Sequence, residues 1–138
     1  MSNETKTAKQ YLNRVRRVDK EITALLRMVE KTKDSVTSIT QKYDSDGAQS
    51  TKDPHKFDRL VMLESVVDEK VDQLVDLKAE ILQTIMKLED NRQRIVLIEY
   101  YLEMKTWEQV AVDMNYSFQH VMRMHGYALQ EVQKIINM

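Results

Sequence analysis

The chain has 138 residues, 21 basic and 22 acidic side chains and a formal net charge of −1, a size for one domain or a small domain with an extension. Apolar residues make up 42% of it, with 2 Gly, 1 Pro and 0 Cys, which excludes wholesale disorder, a turn-rich strand fold, a disulfide framework and a thiolate metal site. The balanced charge argues against a simple polycationic nucleic-acid binder, no apolar run is long enough for a membrane span, and the polar start Met-Ser-Asn-Glu-Thr-Lys is no signal peptide.

The first predicted element is a long helix. Ala8, Val15, Ile22, Val29 and Val36 recur every seven residues, and Tyr11, Val18, Leu25, Thr32 and Ile39 follow each by three. This is an a/d heptad seam. Leu12 and Leu26 are expected to widen it. The pattern predicts one helix from about Thr5 to Thr40, roughly 50 Å long at ~1.5 Å per residue.

A polar run follows from Gln41 to Lys56, with Gly47 and Pro54 inside it. Such residues predict a flexible loop at about 41–56. A second seam then runs through Phe57, Leu60, Val67, Val71, Leu74, Ile81, Ile85 and Leu88, with Leu63 and Leu77 beside it. It predicts a helix from about His55 to Glu89, capped by Asp53 with Pro54 at its first position. Two helices of matched length across such a loop predict a long antiparallel, coiled-coil-like hairpin over residues 1–90. The rival is a homo-oligomer through the N-terminal helices, a parallel dimer along the first helix being one form.

Charge is uneven along the chain. Residues 1–20 carry +4, residues 57–90 carry −5, and the segments 21–56 and 91–138 are each balanced. In an antiparallel hairpin the basic start meets the acidic end, Glu80 and Glu89 included. That complementarity is one reading of Arg14, Arg16 and Arg17; contact with a DNA backbone is the sharper one.

The last third, residues 91–138, is predicted to be three shorter helices. Asp90 or Asn91 caps the first, Arg92 to about Met104, with Ile95, Ile98, Tyr101 and Leu102 inward. Thr106 and Gln109 form a capping box for a short helix, Trp107 to Met114. Asn115 suits a left-handed turn. Ser117 then caps a helix to about Asn137, whose inward stripe is Val121, Met124, Ala128, Val132 and Ile135. Short helix, tight turn and capped longer helix is the pattern of a helix-turn-helix. Phe118, Gln119, Met122, Arg123 and Gly126 fall on the free side of the last helix. Gln can bond adenine twice, Arg guanine twice, and Phe or Met can touch a thymine methyl. Lys105, Thr106, Ser117 and His120 stand where such a fold meets phosphate.

These residues also carry a resemblance. Leu102 to Ala111, with Tyr116-Ser117, Val121 and Ala128-Leu129, resembles region 4 of bacterial sigma factors, which reads a promoter element. Val75 to Ile81, Leu88-Glu89-Asp90, Tyr101-Leu102, Lys105-Thr106-Trp107, Tyr116-Ser117 and His125 to Leu129 resemble a family of small phage and prophage proteins. That family is akin to the ArpU- and RinA-type regulators of late transcription. The resemblance covers roughly residues 57–138. It implies a phage-encoded, DNA-binding transcriptional regulator in the cytoplasm of a bacterial host cell. Double-stranded DNA would be the partner and host RNA polymerase a second one. Phe118, Gln119, Met122 and Arg123 become the DNA-reading positions, of which only Arg123 is charged. Met104 stands where such proteins often have glycine.

Two other functions fit the pattern. One is a protein–protein module acting on RNA polymerase or another host protein. The other is a small-terminase-like DNA packaging protein. No nucleophile–base pair, phosphate loop or zinc motif is present, so no enzyme, cofactor, metal or catalytic residue is expected. His120 and His125 are five residues apart and share no helix face. His125 and Trp107 are expected to pack.

Overall fold

A computed structural model describes residues 7–46 and 54–138, with side chains only to residue 37 in the first stretch. The described residues are all-α and contain no strand. The elements are α1 (Ala8–Asp46), α2 (Lys56–Ile85), α3 (Asn91–Leu97), a π-helical turn (Ile98–Leu102), α4 (Trp107–Met114) and α5 (Phe118–Ile136). Contacts divide the chain into two units, one of residues 1–17 and 74–138, the other of residues 18–73. The division runs through both long helices. No described helix is long and apolar enough to cross a membrane.

Helix α1 follows its heptad. Ala8, Val15, Ile22 and Val29 are all buried, as are Leu12 and Val18. Leu26 is 47% exposed and lies off the seam. The helix continues to Asp46, through the first six residues of the predicted loop. The Asp and Ser residues there favour turns, but one helical repeat can carry them when the preceding turns are already formed. The expected cap at Asp53 lies outside the described residues.

Helix α2 starts at Lys56 and stops at Ile85, four residues before its expected end. Leu60, Val67, Ile81, Ile85 and Leu88 are buried as expected, whereas Phe57 and Val71 are exposed. The stripe therefore steps through Leu63, Lys70, Leu74 and Leu77, all half-buried.

In the unit of residues 18–73, Val29, Leu60 and Val67 pack together with Leu25 and Leu63. The Lys70 ammonium pairs with Glu21 at 3.1 Å, and that of Lys33 with Glu64 at 3.9 Å. Lys56 Nζ donates to Ser35 Oγ at 2.7 Å. These pairs run in opposite sequence order along the two helices.

In the other unit the core joins residues far apart in sequence. Leu12 and Val15 of α1, Ile81 and Ile85 of α2, Leu97, Tyr101, Ala128 and Val132 form one buried cluster. Tyr11 and Thr84 share a hydroxyl hydrogen bond of 2.7 Å, and Arg14 donates to Glu80 at 2.7 Å. The backbone N–H of Ala8 donates to Gln133 Oε1 on α5 at 2.7 Å.

Asp90 caps α3, its side chain accepting from the Arg92 N–H at 2.9 Å. The helix does not continue evenly to Met104. Five residues wind as a π turn, with Glu103 N–H donating to Ile98 O at 2.9 Å. A wider turn shifts the phase of everything after it. Val96 and Leu97 ahead of the turn and Tyr101 within it are buried, and Ile95 is 39% exposed. Ile95, expected inward, faces outward because the buried side of α3 runs through Val96 and Leu97. Met104 closes the turn with φ 62, the conformation in which glycine is easier.

Candidate nucleic-acid interface

The joint between α4 and α5 is built by local chemistry. Thr106 Oγ1 accepts the Gln109 N–H at 3.2 Å, and Gln109 Oε1 accepts the Thr106 N–H at 2.9 Å. That capping box starts α4 at Trp107. Asn115 ends it in the left-handed conformation, φ 60 and ψ 43. Asn tolerates this region better than other side chains because its amide bonds locally. Two residues on, Ser117 Oγ accepts the His120 N–H at 3.1 Å and starts α5.

The helices meet over Val110, Ala111 and Val121, with Trp107, Met114, Tyr116 and Met122 around them. Ala111 is small where α5 approaches. The inward stripe Val121, Met124, Ala128 and Val132 is buried, as the spacing predicts.

The free side of α5 begins with Phe118, 44% exposed. Gln119 and Arg123 are exposed, and neither has a hydrogen bond or ion pair within the described chain. Met122 is half-buried and packs against the α4–α5 core. Tyr127, 54% exposed, extends the same face by one turn. The sequence reading missed it, although it stands four residues beyond Arg123 and the helical period points to it.

Gly126 sits between these groups. A Cβ built there meets nothing within 4 Å, so no packing in the chain requires glycine. Gly126→Ala is expected to raise stability by about 0.5–1 kcal/mol, the ordinary helix-interior difference. A thermal melt checks it, and a lower melting temperature would reveal a hidden clash.

The His120 ring stacks on Tyr116, centroids 4.1 Å apart. Hydrogen bonds that Arg92 donates to Asp90 and then Tyr116 push its guanidinium above its ordinary range. Arg92 therefore stands near the start of α5. Its position was invisible in the sequence, since 24 residues separate it from Tyr116.

Lys105 is differently placed. Its ammonium lies 2.7 Å from Asp113, 3.3 Å from Glu103 and 3.6 Å from Glu99. The hydrogen bond with Asp113 pushes Lys105 upward and holds Asp113 below the usual carboxylate range. Burial raises Glu99, and its Oε1 has no hydrogen-bond partner. Three carboxylates around one ammonium leave the group net negative when all are ionised, a poor setting for phosphate. Thr106 and Ser117 are exposed, but each hydroxyl already accepts a capping hydrogen bond.

The N-terminal arginines divide. Arg14 pairs with Glu80 and lies over the Tyr11 ring at 4.5 Å. Arg16 lies over the Tyr100 ring at 4.0 Å and donates to the Tyr100 carbonyl. Arg17 is exposed and has no such partner.

Tyr100 continues a stack. Its ring lies flat on Trp107, centroids 3.7 Å apart, and Trp107 is 4.5 Å from His125. His125 Nε2 shares a 2.8 Å hydrogen bond with the hydroxyl of fully buried Tyr101. Burial pushes the imidazole down from 6.5 to about 4. The folded protein thus holds His125 neutral while the unfolded chain takes up its proton near pH 6.5. The stabilisation is complete above pH 6.5 and is lost as pH falls toward about 4. Glu99, raised by burial, works in the opposite direction. A His125→Gln variant should therefore show a flatter fall in melting temperature across this window than the parent. Equal slopes would overturn the assignment.

No protein-family model, no curated protein and no solved structure matches the chain.

Proposed function

We propose that this chain is a DNA-binding transcriptional regulator, of the phage type that the sequence resemblance implies. In this reading α1 and α2 form a long antiparallel hairpin, and α4 and α5 are a helix-turn-helix. The first two turns of α5 enter the major groove. One observation carries the reading: Gln119 and Arg123 stand exposed, without partners, on the first two turns of a capped helix behind a left-handed turn. Those side chains can each make two hydrogen bonds to a purine edge. Phe118 and Met122 beside them suit thymine methyls. Arg123 supplies the positive charge, Arg92 being paired with Asp90 at 3.3 Å, and the Ser117-capped helix end adds a partial one.

The electrostatics limit affinity. Residues 91–138 hold five basic and five acidic groups, and Lys105 is already neutralised. Each lost phosphate contact removes a released counterion and the affinity that comes with it.

Selection of bound fragments from random duplex DNA tests the proposal. The expected result is a recurring short site containing adenine and guanine, with affinity that falls as salt rises. No enrichment, or an affinity indifferent to salt, sinks it. One observation favours a second reading, a module that docks on another protein: Val112 is 78% exposed on α4 beside Glu108 and Asp113. Failure of the selection together with binding to purified RNA polymerase would favour that reading.

A further inference from the structure

Helix α4 packs one side on α5 and leaves the other open. Val110 and Ala111 are buried on the packed side, with Trp107 and Met114 beside them. The open side holds a groove of about 350 Å³, lined by Lys105, Glu108, Gln109, Val112 and Asp113. All five residues belong to the same unit as the α4–α5 joint. Val112 is 78% exposed, more than any other large apolar side chain of the described residues except the terminal Met138. A single exposed valine is ordinary on a protein surface; its surroundings here are not. Glu108 stands one turn before it and Asp113 directly after it. At ~100° per residue, Val112 projects between the two carboxylates.

The charge of this face is not balanced from within. Lys105 is the resident cation, and it is divided among Asp113 at 2.7 Å, Glu103 at 3.3 Å and Glu99 at 3.6 Å. Glu108 makes no ion pair within the described chain. Other cations of the same segment are engaged elsewhere: Arg92 with Asp90, Arg94 with the carbonyls of Leu88 and Glu89, Lys134 with Glu131. Behind the groove, Glu99 Oε1 is buried and accepts no hydrogen bond. Its 3.6 Å to Lys105 is too long for one. One ammonium therefore leaves the acceptors gathered around it unsatisfied.

We propose that this groove docks a basic segment of another protein, with one apolar side chain seated on Val112 and an arginine or lysine on each side of it, toward Glu108 and Asp113. Charge complementarity names the occupant. DNA is repelled by such a face. A neutral or acidic segment leaves the carboxylates without counter-charge, and a free cation does not cover Val112. Arginine suits the role because its planar fork matches a carboxylate. The proposal gives a partner chemistry to the docking face noted on α4 and rests on that face alone. It stands whether or not α5 reads DNA.

Peptides of random sequence, displayed and selected on the immobilised full-length protein, test it. The expected enrichment is for an aliphatic or Phe side chain flanked by Arg or Lys. The best peptide, synthesised, should bind Glu108→Lys and Val112→Ser each about tenfold or more weakly than the parent. Both exchanges alter exposed side chains, so melting temperatures close to the parent's separate lost docking from lost folding. Glu69→Lys makes the same change of charge on α2 and should bind the peptide as the parent does. Arginine amide alone, at the peptide's concentration, should not displace it. Enrichment without basic residues, parent-like binding by either groove variant, or displacement by arginine amide would each overturn the proposal. So would a dimer of the protein alone that Glu108→Lys dissociates, since the occupant would then be a second copy. The DNA selection and the peptide selection read different faces of the chain, so either can fail without the other.

Discussion

If α5 reads DNA as proposed, exchanging both Gln119 and Arg123 for alanine should leave the protein folded and remove its discrimination between DNA sequences. The first half follows from exposure. Neither side chain has a partner in the chain, and alanine is the best helix former. Circular dichroism and the melting temperature should match the parent. The second half follows from the purine contacts proposed for these two side chains, each such contact being worth about 1–3 kcal/mol against the wrong base. Together that is a loss of roughly tens- to tens-of-thousands-fold in preference for the selected site. The single variants separate the roles. If Arg123→Ala weakens all sequences alike and lowers the salt slope by about one, Arg123 holds a phosphate and not a base. Unchanged preference in the double variant removes α5 as the reading helix.

Replacing Tyr101 by alanine should have the largest effect on stability. The side chain is fully buried in the core that joins α1, α2, α3 and α5. Removing an aromatic ring from such a place costs about 3–5 kcal/mol, a large part of the ~5–15 kcal/mol that a domain has. Tyr101→Phe keeps the ring and removes only the hydroxyl. His125 Nε2 then loses its 2.8 Å partner, at a cost of about 1–3 kcal/mol. Urea titrations should show both midpoints lowered, the alanine variant much the further. A Phe variant as stable as the parent would mean that water replaces the hydroxyl.

What the sequence disclosed was local. The a positions Ala8, Val15, Ile22 and Val29 are buried because a seven-residue period fixes which side of a helix they take. The α4 boundaries, the Thr106–Gln109 box, the left-handed Asn115 and the Ser117 cap all depend on groups within four residues of each other. Events without a periodic signal were not legible. The π turn after Leu97 has no periodic signature, and the buried side of α3 falls on Val96 and Leu97 rather than on Ile95. Helix α1 ran through residues that individually favour turns.

Pairings across the sequence were hidden in the same way. Lys105 beside a helix start read as a phosphate ligand, but Asp113 on the far side of α4 and Glu99 on the π turn take its charge. Arg16 read as one of three equivalent basic residues, yet Tyr100, 84 positions away, claims it. Of the three, only Arg17 keeps an uncommitted charge.

The hydrogen bond from Ala8 to Gln133 spans 125 positions. Helical proteins usually fold fast because their contacts are near neighbours in sequence. Here Leu12 and Val15 share one buried cluster with Ile81 and Ile85 and, more than a hundred positions on, with Ala128 and Val132. Closing the last part of that cluster spans a loop of more than a hundred residues, at an entropic cost that grows only slowly with length.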